Sequence, residues 1–234
     1  MNLEVFADVE QVARHAAEVI AAEARAAVAT RGRFVVAFSG GRSPWAMLRA
    51  LTSLDVPWEN VDVLQVDERI APAGHADRNL THLSASLRVP AQPGRPRIQA
   101  MPVEAANLDE AAAGYARTLG EIGGSPPVLD LVHLGLGVDG HTASLVPGDP
   151  VLDVTDADVA LTGQYQGRRR MTLTYPVLNR ARRVLWVITG EDKAGMVVRL
   201  FQRDRAIPAG RVEQERAMVL ADRAAAHQVQ TRPT

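Results

Sequence analysis

The chain contains no cysteine, which excludes disulfides, thiolate catalysis and cysteine-ligated zinc. It is nearly without lysine as well: 25 of its 26 basic residues are arginine and only Lys193 is lysine. Arginine has replaced lysine everywhere else, so this one exception invites a chemical reason. An excess of either charge is missing, the net charge being −1, whereas a dedicated nucleic-acid binder carries a basic surplus. No apolar run approaches the ~18 residues of a membrane-spanning helix. The first residues, MNLEVFADVEQ, lack a basic segment leading into an apolar one. Neither a membrane partner nor a signal peptide is therefore expected, and the cytoplasm is the expected location. What is present is an ordinary globular composition, 47% apolar and 23% charged over 234 residues. That is enough for one domain, residues 1–234, with a substantial buried core.

Short apolar runs alternate with helical periodicity, the pattern of parallel strands joined by crossover helices. A strand is expected at Leu3–Phe6, followed by a helix over Val9–Val28 with Val9, Val12, Ala13, Ala16, Val19, Ile20, Ala24 and Ala27 on one face. Phe34–Phe38 reads as a buried strand running into Ser39-Gly40-Gly41, with a helix from Pro44. Val61–Val66 reads as a strand ending in Asp67-Glu68-Arg69. Asn107 and Glu110 stand at capping-box spacing before a helix to Ile122. Strands follow at Val128–Leu134, around Arg170–Thr174 and at Val184–Thr189, with a helix from about Glu191 and a short frayed one beyond Asp222. The segment around Asp153, Asp156 and Asp158 shows no clear strand, and the path of residues 147–168 stays open. The fold class is α/β, a Rossmann-like open, mostly parallel sheet with helices on both faces and room for a small subdomain.

Four polar segments sit where such sheets bind ligands, at the carboxyl ends of strands. Ser39-Gly40-Gly41-Arg42-Ser43-Pro44 joins a strand to a helix. Its glycines let the backbone approach an anion, the helix start offers free amides, and Ser39 and Ser43 could add hydroxyl donors. Asp67-Glu68-Arg69 offers two acids and a guanidinium, able to bind hydroxyls, orient a histidine or hold developing negative charge. Gly135-Leu136-Gly137-Val138-Asp139-Gly140-His141 contains a literal GxGxxG. A dinucleotide loop should open a long helix, and Pro147 and Pro150 break the chain within two turns, so that reading fails. Asp139 and His141 in a strand-end loop instead suit proton transfer. Asp139, His141 and His133 have no metal-site spacing, so no metal is expected. The last segment is basic: Arg168-Arg169-Arg170 leads into Met171-Thr172, and Gly190-Glu191-Asp192-Lys193 opens a helix. Lys193 near a helix start opposes the dipole, a conflict that a bound anion would relieve.

In this order and spacing, SGGRSP, DERIAP, GLGVDGHTASLVPG, RRMTLT and GEDKAG resemble the 6-phosphogluconolactonases, enzymes of the pentose phosphate pathway. The resemblance covers about Phe34 to Val212. It implies a fold related to the glucosamine-6-phosphate deaminases, no cofactor, and a small phosphorylated sugar lactone as substrate. It implies phosphate contacts at Ser39, Gly40, Gly41, Ser43, Arg170 and Lys193, with Arg42 inside the same loop, and catalytic roles near Asp67, Arg69 and His141. The related deaminases resemble DGHIAF-NEP, with a carboxylate five residues after the histidine. Val146 stands there and cannot donate a proton, which disfavours amino-sugar chemistry. A non-catalytic sensor would need the anion loop more than a general base. Arg78 stands before Asn79 where the lactonases often carry serine. The expected mechanism has His141 draw a proton from water, with Asp139 or Asp67 orienting the imidazole. The expected assembly is a monomer or small homo-oligomer.

Overall fold

In the computed structural model, which describes residues 1–88 and 94–229, the apolar runs become strands covered on both faces. In chain order the elements are β1 (Asn2–Phe6), α1 (Val9–Arg31), β2 (Phe34–Phe38), α2 (Arg42–Leu51), β3 (Val61–Gln65), β4 (Asp67–Arg69) and α3 (Asn79–Ser86). They continue with β5 (Arg97–Gln99), α4 (Leu108–Gly123), β6 (Leu131–Leu134), β7 (Val159–Leu161), β8 (Arg170–Leu173) and α5 (Tyr175–Arg180). The last are β9 (Val184–Ile188), α6 (Ala194–Phe201), β10 (Ala217–Asp222) and α7 (Arg223–Ala226).

Seven strands form one sheet in the order β1-β10-β9-β6-β2-β3-β5, and every neighbouring pair in it is parallel. Within β2, Phe34, Val36 and Phe38 pack with α1 and α2, while Val35 and Ala37 join the core that holds Tyr115 and Leu119 of α4 and Val197 of α6. Burial on both sides explains why these strands read as unbroken apolar runs. α1 is bounded by local chemistry. Asp8 Oδ1 accepts from Gln11 N at 2.8 Å, and Gly32, at φ 76°, ends the helix.

The strand order places the site. From β2 the chain moves outward through β3 to β5, then returns to the other side of β2 with β6 before continuing through β9 to β10. The reversal falls between β2 and β6, so a crevice opens between the loops that leave their carboxyl ends. Those loops are Ser39–Gly41 and Gly135–Gly140.

Asp67-Glu68-Arg69, read from the sequence as a strand-end loop, is itself a strand. At Val66 the chain leaves the large sheet: Val66 N donates to Phe38 O, while Val66 O accepts from Leu173 N. It then pairs antiparallel with β8, making a second sheet in the order β4-β8-β7. β7 lies inside residues 147–168, whose path the sequence leaves open. β5, β10, α3 and α5 were also unanticipated, α2 begins two residues before Pro44, and β6 begins only at Leu131. The end of the expected C-terminal helix, from residue 230 on, lies outside the described residues. Among the described residues no helix is long and apolar enough to cross a membrane.

Candidate active site

The two crevice loops are stitched together at their roots. Ser39 Oγ donates to His133 O at 3.0 Å, and Ser39 N donates to His133 Nδ1 at 3.3 Å. The serine's hydroxyl and amide protons are thus engaged inside the fold, and it shapes the loop instead of offering a free donor. Ser43 Oγ pairs with Thr189 Oγ1 at 2.7 Å. The amides of Gly40 and Gly41 have no backbone partner among the described residues. Those of the first turn of α2 are free by helix geometry. Gly40 is required: a Cβ there would lie 1.9 Å from Asn79 Oδ1.

Across the crevice, the Gly135–Gly140 loop folds back on itself. Gly137 N donates to His141 O at 2.8 Å, and Gly140 N donates to Gly137 O at 3.0 Å. This brings Asp139 under His141. Asp139 Oδ1 accepts from His141 N at 3.1 Å and from His141 Nδ1 at 2.6 Å. A carboxylate only accepts, so Nδ1 carries the proton of this bond, and in the neutral tautomer that fits it Nε2 has the lone pair. Burial pushes the Asp139 carboxyl up, but hydrogen bonds from His141 and Tyr165 outweigh it and leave it below its ordinary value. Of the two aspartates the sequence left open as partner of the imidazole, it is Asp139 that makes the bond. Asp67 instead accepts from Ser144 Oγ at 2.6 Å and from Asn79 Nδ2 at 3.3 Å.

The small sheet supplies the third wall. Arg69 and Arg170 are direct partners in its ladder. Arg69 Nη1 donates to Asp77 O and Asn79 Oδ1, both at 2.9 Å. Arg170 is only 4% exposed; Nη2 reaches Gln166 at 3.3 Å, and Nε is buried without a partner. Burial pulls its guanidinium below the ordinary value, with Asp67 pulling the other way. Among the described residues neither arginine has a carboxylate within 4 Å. Glu68 is fully buried behind this wall and does not face the crevice. It accepts from Gln65 Nε2, Arg69 N, Asn79 N and Leu80 N, at 2.7 to 2.8 Å. Arg78, where the lactonases often carry serine, lies against it at 3.2 Å.

A cleft of ≈ 170 Å³ joins these pieces, lined by Ser39, Gly40, Asp67, Arg69, Asn79, Gly135, Leu136, Gly137, His141, Ala143, Arg170 and Lys193. Gly41, Arg42 and Ser43 line an adjoining cavity of ≈ 260 Å³, which shares Gly40 and Lys193 with the cleft. Asp139 stands behind His141 and does not line the cleft. Among the described residues no group of three His, Asp or Glu could hold a metal. The sequence reading missed Tyr165, whose hydroxyl donates to Asp139 Oδ2 at 3.0 Å. The signal available for it was Gln166-Gly167, a turn pair in an otherwise unassigned stretch.

The sequence model of the glucosamine-6-phosphate isomerases/6-phosphogluconolactonase family matches residues 7–221. The chain belongs to this family. Within the family, a Rattus norvegicus 6-phosphogluconolactonase is 34% identical over 90% of this chain and 86% of its own length. A Synechocystis 6-phosphogluconolactonase is 35% identical over 75% of this chain and 74% of its own. The solved 6-phosphogluconolactonase of Trypanosoma brucei superposes with a TM-score of 0.83 over 98% of both chains, at 21% identity. A monomeric glucosamine-6-phosphate deaminase superposes with a TM-score of 0.77 at 19% identity. The family fold is therefore that of this chain, and both of these curated relatives are 6-phosphogluconolactonases.

Proposed function

We infer that this protein hydrolyses 6-phospho-D-glucono-1,5-lactone to 6-phosphogluconate. The observation that carries the reading is the His141–Asp139 contact of 2.6 Å, on a cleft whose facing wall holds two guanidiniums without carboxylate partners. A neutral imidazole with Nε2 free is a base for water, and the cations suit an anionic substrate.

In this reading the 6-phosphate rests against Gly40, Gly41 and the start of α2, where Arg42, Ser43 and Lys193 converge, with Arg170 closing the other side. The lactone carbonyl then lies beside His141. Nε2 takes a proton from water as its oxygen adds to the carbonyl. Arg69, or an amide of the Gly135–Gly140 loop other than those of Gly137 and Gly140, which are engaged within it, stabilises the tetrahedral oxyanion. The imidazolium returns its proton to the ring oxygen as the C–O bond breaks. Asp139 holds the ring's orientation and supports its cationic form. Asp67, bonded by Ser144 and Asn79, holds the wall that presents Arg69.

Amino-sugar isomerisation is disfavoured by Val146, which is apolar and buried at the position of the deaminase carboxylate. A cytoplasmic location and a monomeric or small homo-oligomeric state belong to the same proposal; cell fractionation and light scattering test them. Turnover of lactone generated from glucose 6-phosphate, followed by NMR, tests the activity. Binding of 6-phosphogluconate without acceleration would leave a sensor.

A further inference from the structure

We propose that Tyr165 is a positioning residue for the lactone hydrolysis, holding the Asp139–His141 pair and the Arg170 guanidinium in one frame. The inference rests on the reading of His141 as the base. Tyr165 contributes in two separable ways. Its hydroxyl donates to Asp139 Oδ2 at 3.0 Å, while Asp139 Oδ1 holds His141 Nδ1 at 2.6 Å. With both oxygens occupied, the carboxylate cannot rotate, and the imidazole bonded to it keeps its aim. Its ring lies beneath Arg170, whose guanidinium carbon is 4.9 Å from the centroid. The same ring meets His141 edge-on, at 5.4 Å and 64°. A π face supports a buried cation without neutralising it, so the charge stays available to a substrate anion.

Local sequence builds this arrangement. Tyr165 N donates to Arg168 O at 2.9 Å, and Arg168 N donates to Tyr165 O at 3.3 Å. Gln166 and Gly167 between them have φ of 51° and 77°, the two-residue hairpin turn in which both central residues are left-handed. Arg168 then reaches Asp77 Oδ2 at 2.6 Å, beside a small cavity that the two line with Arg69, Gln166 and Arg170. The residue that closes the hairpin is thus tied to the Asp77 loop, and Tyr165 stands between base and cation. Simple packing would use neither the hydroxyl nor the face of the ring.

The test is steady-state kinetics on the full chain for the wild type, Tyr165→Phe, Tyr165→Leu, Asp139→Asn, Asp139→Asn/Tyr165→Phe and His141→Ala, with unfolding temperatures alongside. Tyr165→Phe keeps the ring and should lower kcat roughly 10-fold with KM unchanged. Tyr165→Leu should lower kcat similarly and also raise KM about 5-fold, because Arg170 loses its platform. In the Asp139→Asn background, Tyr165→Phe should have no further effect on kcat. A wild-type kcat in Tyr165→Phe, with His141→Ala inactive, overturns the proposal and leaves the base reading intact. Equal rises of KM in the Phe and Leu variants, or a further loss of kcat on adding Tyr165→Phe to Asp139→Asn, with unfolding temperatures lowered alike, mean a packing role and also overturn it. Full activity in His141→Ala removes the base reading and this proposal with it.

Discussion

Arg69 and Arg170 face each other directly across the ladder between β4 and β8. Like charges opposite one another destabilise a sheet, and each guanidinium keeps its Nε buried and without a partner. Asp67 offsets this positive charge only in part, and an anion in the cleft would offset it further. Arg170→Met should raise KM roughly 10–100-fold, the range of a charge-assisted hydrogen bond. The free protein should lose no stability from it. Inorganic phosphate should raise the unfolding temperature of the wild type more than that of the variant. Equal stabilisation of both by phosphate would remove Arg170 from the anion site.

Gly137 sets the geometry of the proposed base. A Cβ there would lie 2.0 Å from His141 Nδ1 and 2.7 Å from Asp139 Oδ1. Gly137→Ala should therefore displace the pair and lower kcat by at least ~10²-fold, since misplacement by about 1 Å is enough. Its circular dichroism should match the wild type. Unchanged kcat would mean the loop tolerates a shifted imidazole.

Glu68 is a structural anchor. Its carboxylate accepts four hydrogen bonds and contacts Arg78. Glu68→Ala leaves a buried cation and several donors unpaired, and urea unfolding should report a loss of about 3–5 kcal/mol. A loss of kcat at full stability would instead argue for a direct role in the chemistry.

His133 links folding to pH. Its burial pushes the imidazole down to about 3, against an ordinary value of 6.5. Between those values the unfolded chain binds a proton that the folded chain refuses. Its contribution is therefore fully present above pH 6.5 and declines as pH falls toward 3. The slope is about 1.4 kcal/mol per pH unit for one proton. Urea unfolding between pH 5 and 6 should show a slope smaller by about that amount in His133→Gln. Identical slopes would mean that His133 does not carry this linkage.

Much of the site was legible because its chemistry is local in sequence. Ser39–Ser43, Asp67–Arg69, Asp139–His141, Arg170 and Lys193 each announce themselves by glycine, charge or imidazole next to an apolar strand. What was not legible depends on long-range pairing. Asp67-Glu68-Arg69 is too short and polar to read as a strand; its identity comes from β8, a hundred residues later. Ser39 looked like a free donor because its partner, His133, lies 94 residues away. Tyr165 was invisible for the same reason, since its importance lies in Asp139 and Arg170. Strand order, and with it the crevice between β2 and β6, likewise emerges only when the chain closes.

Whether His141 is the base that activates water is decided by comparing lactone opening by the wild type and by His141→Ala. The lactone is generated in situ from glucose 6-phosphate at mildly acidic pH and followed by NMR. We predict acceleration by the wild type, and a fall in turnover of ~10²–10⁴-fold in the variant with little change in KM. Acceleration that survives in His141→Ala would mean that the base is another residue, with Asp67 the first to test.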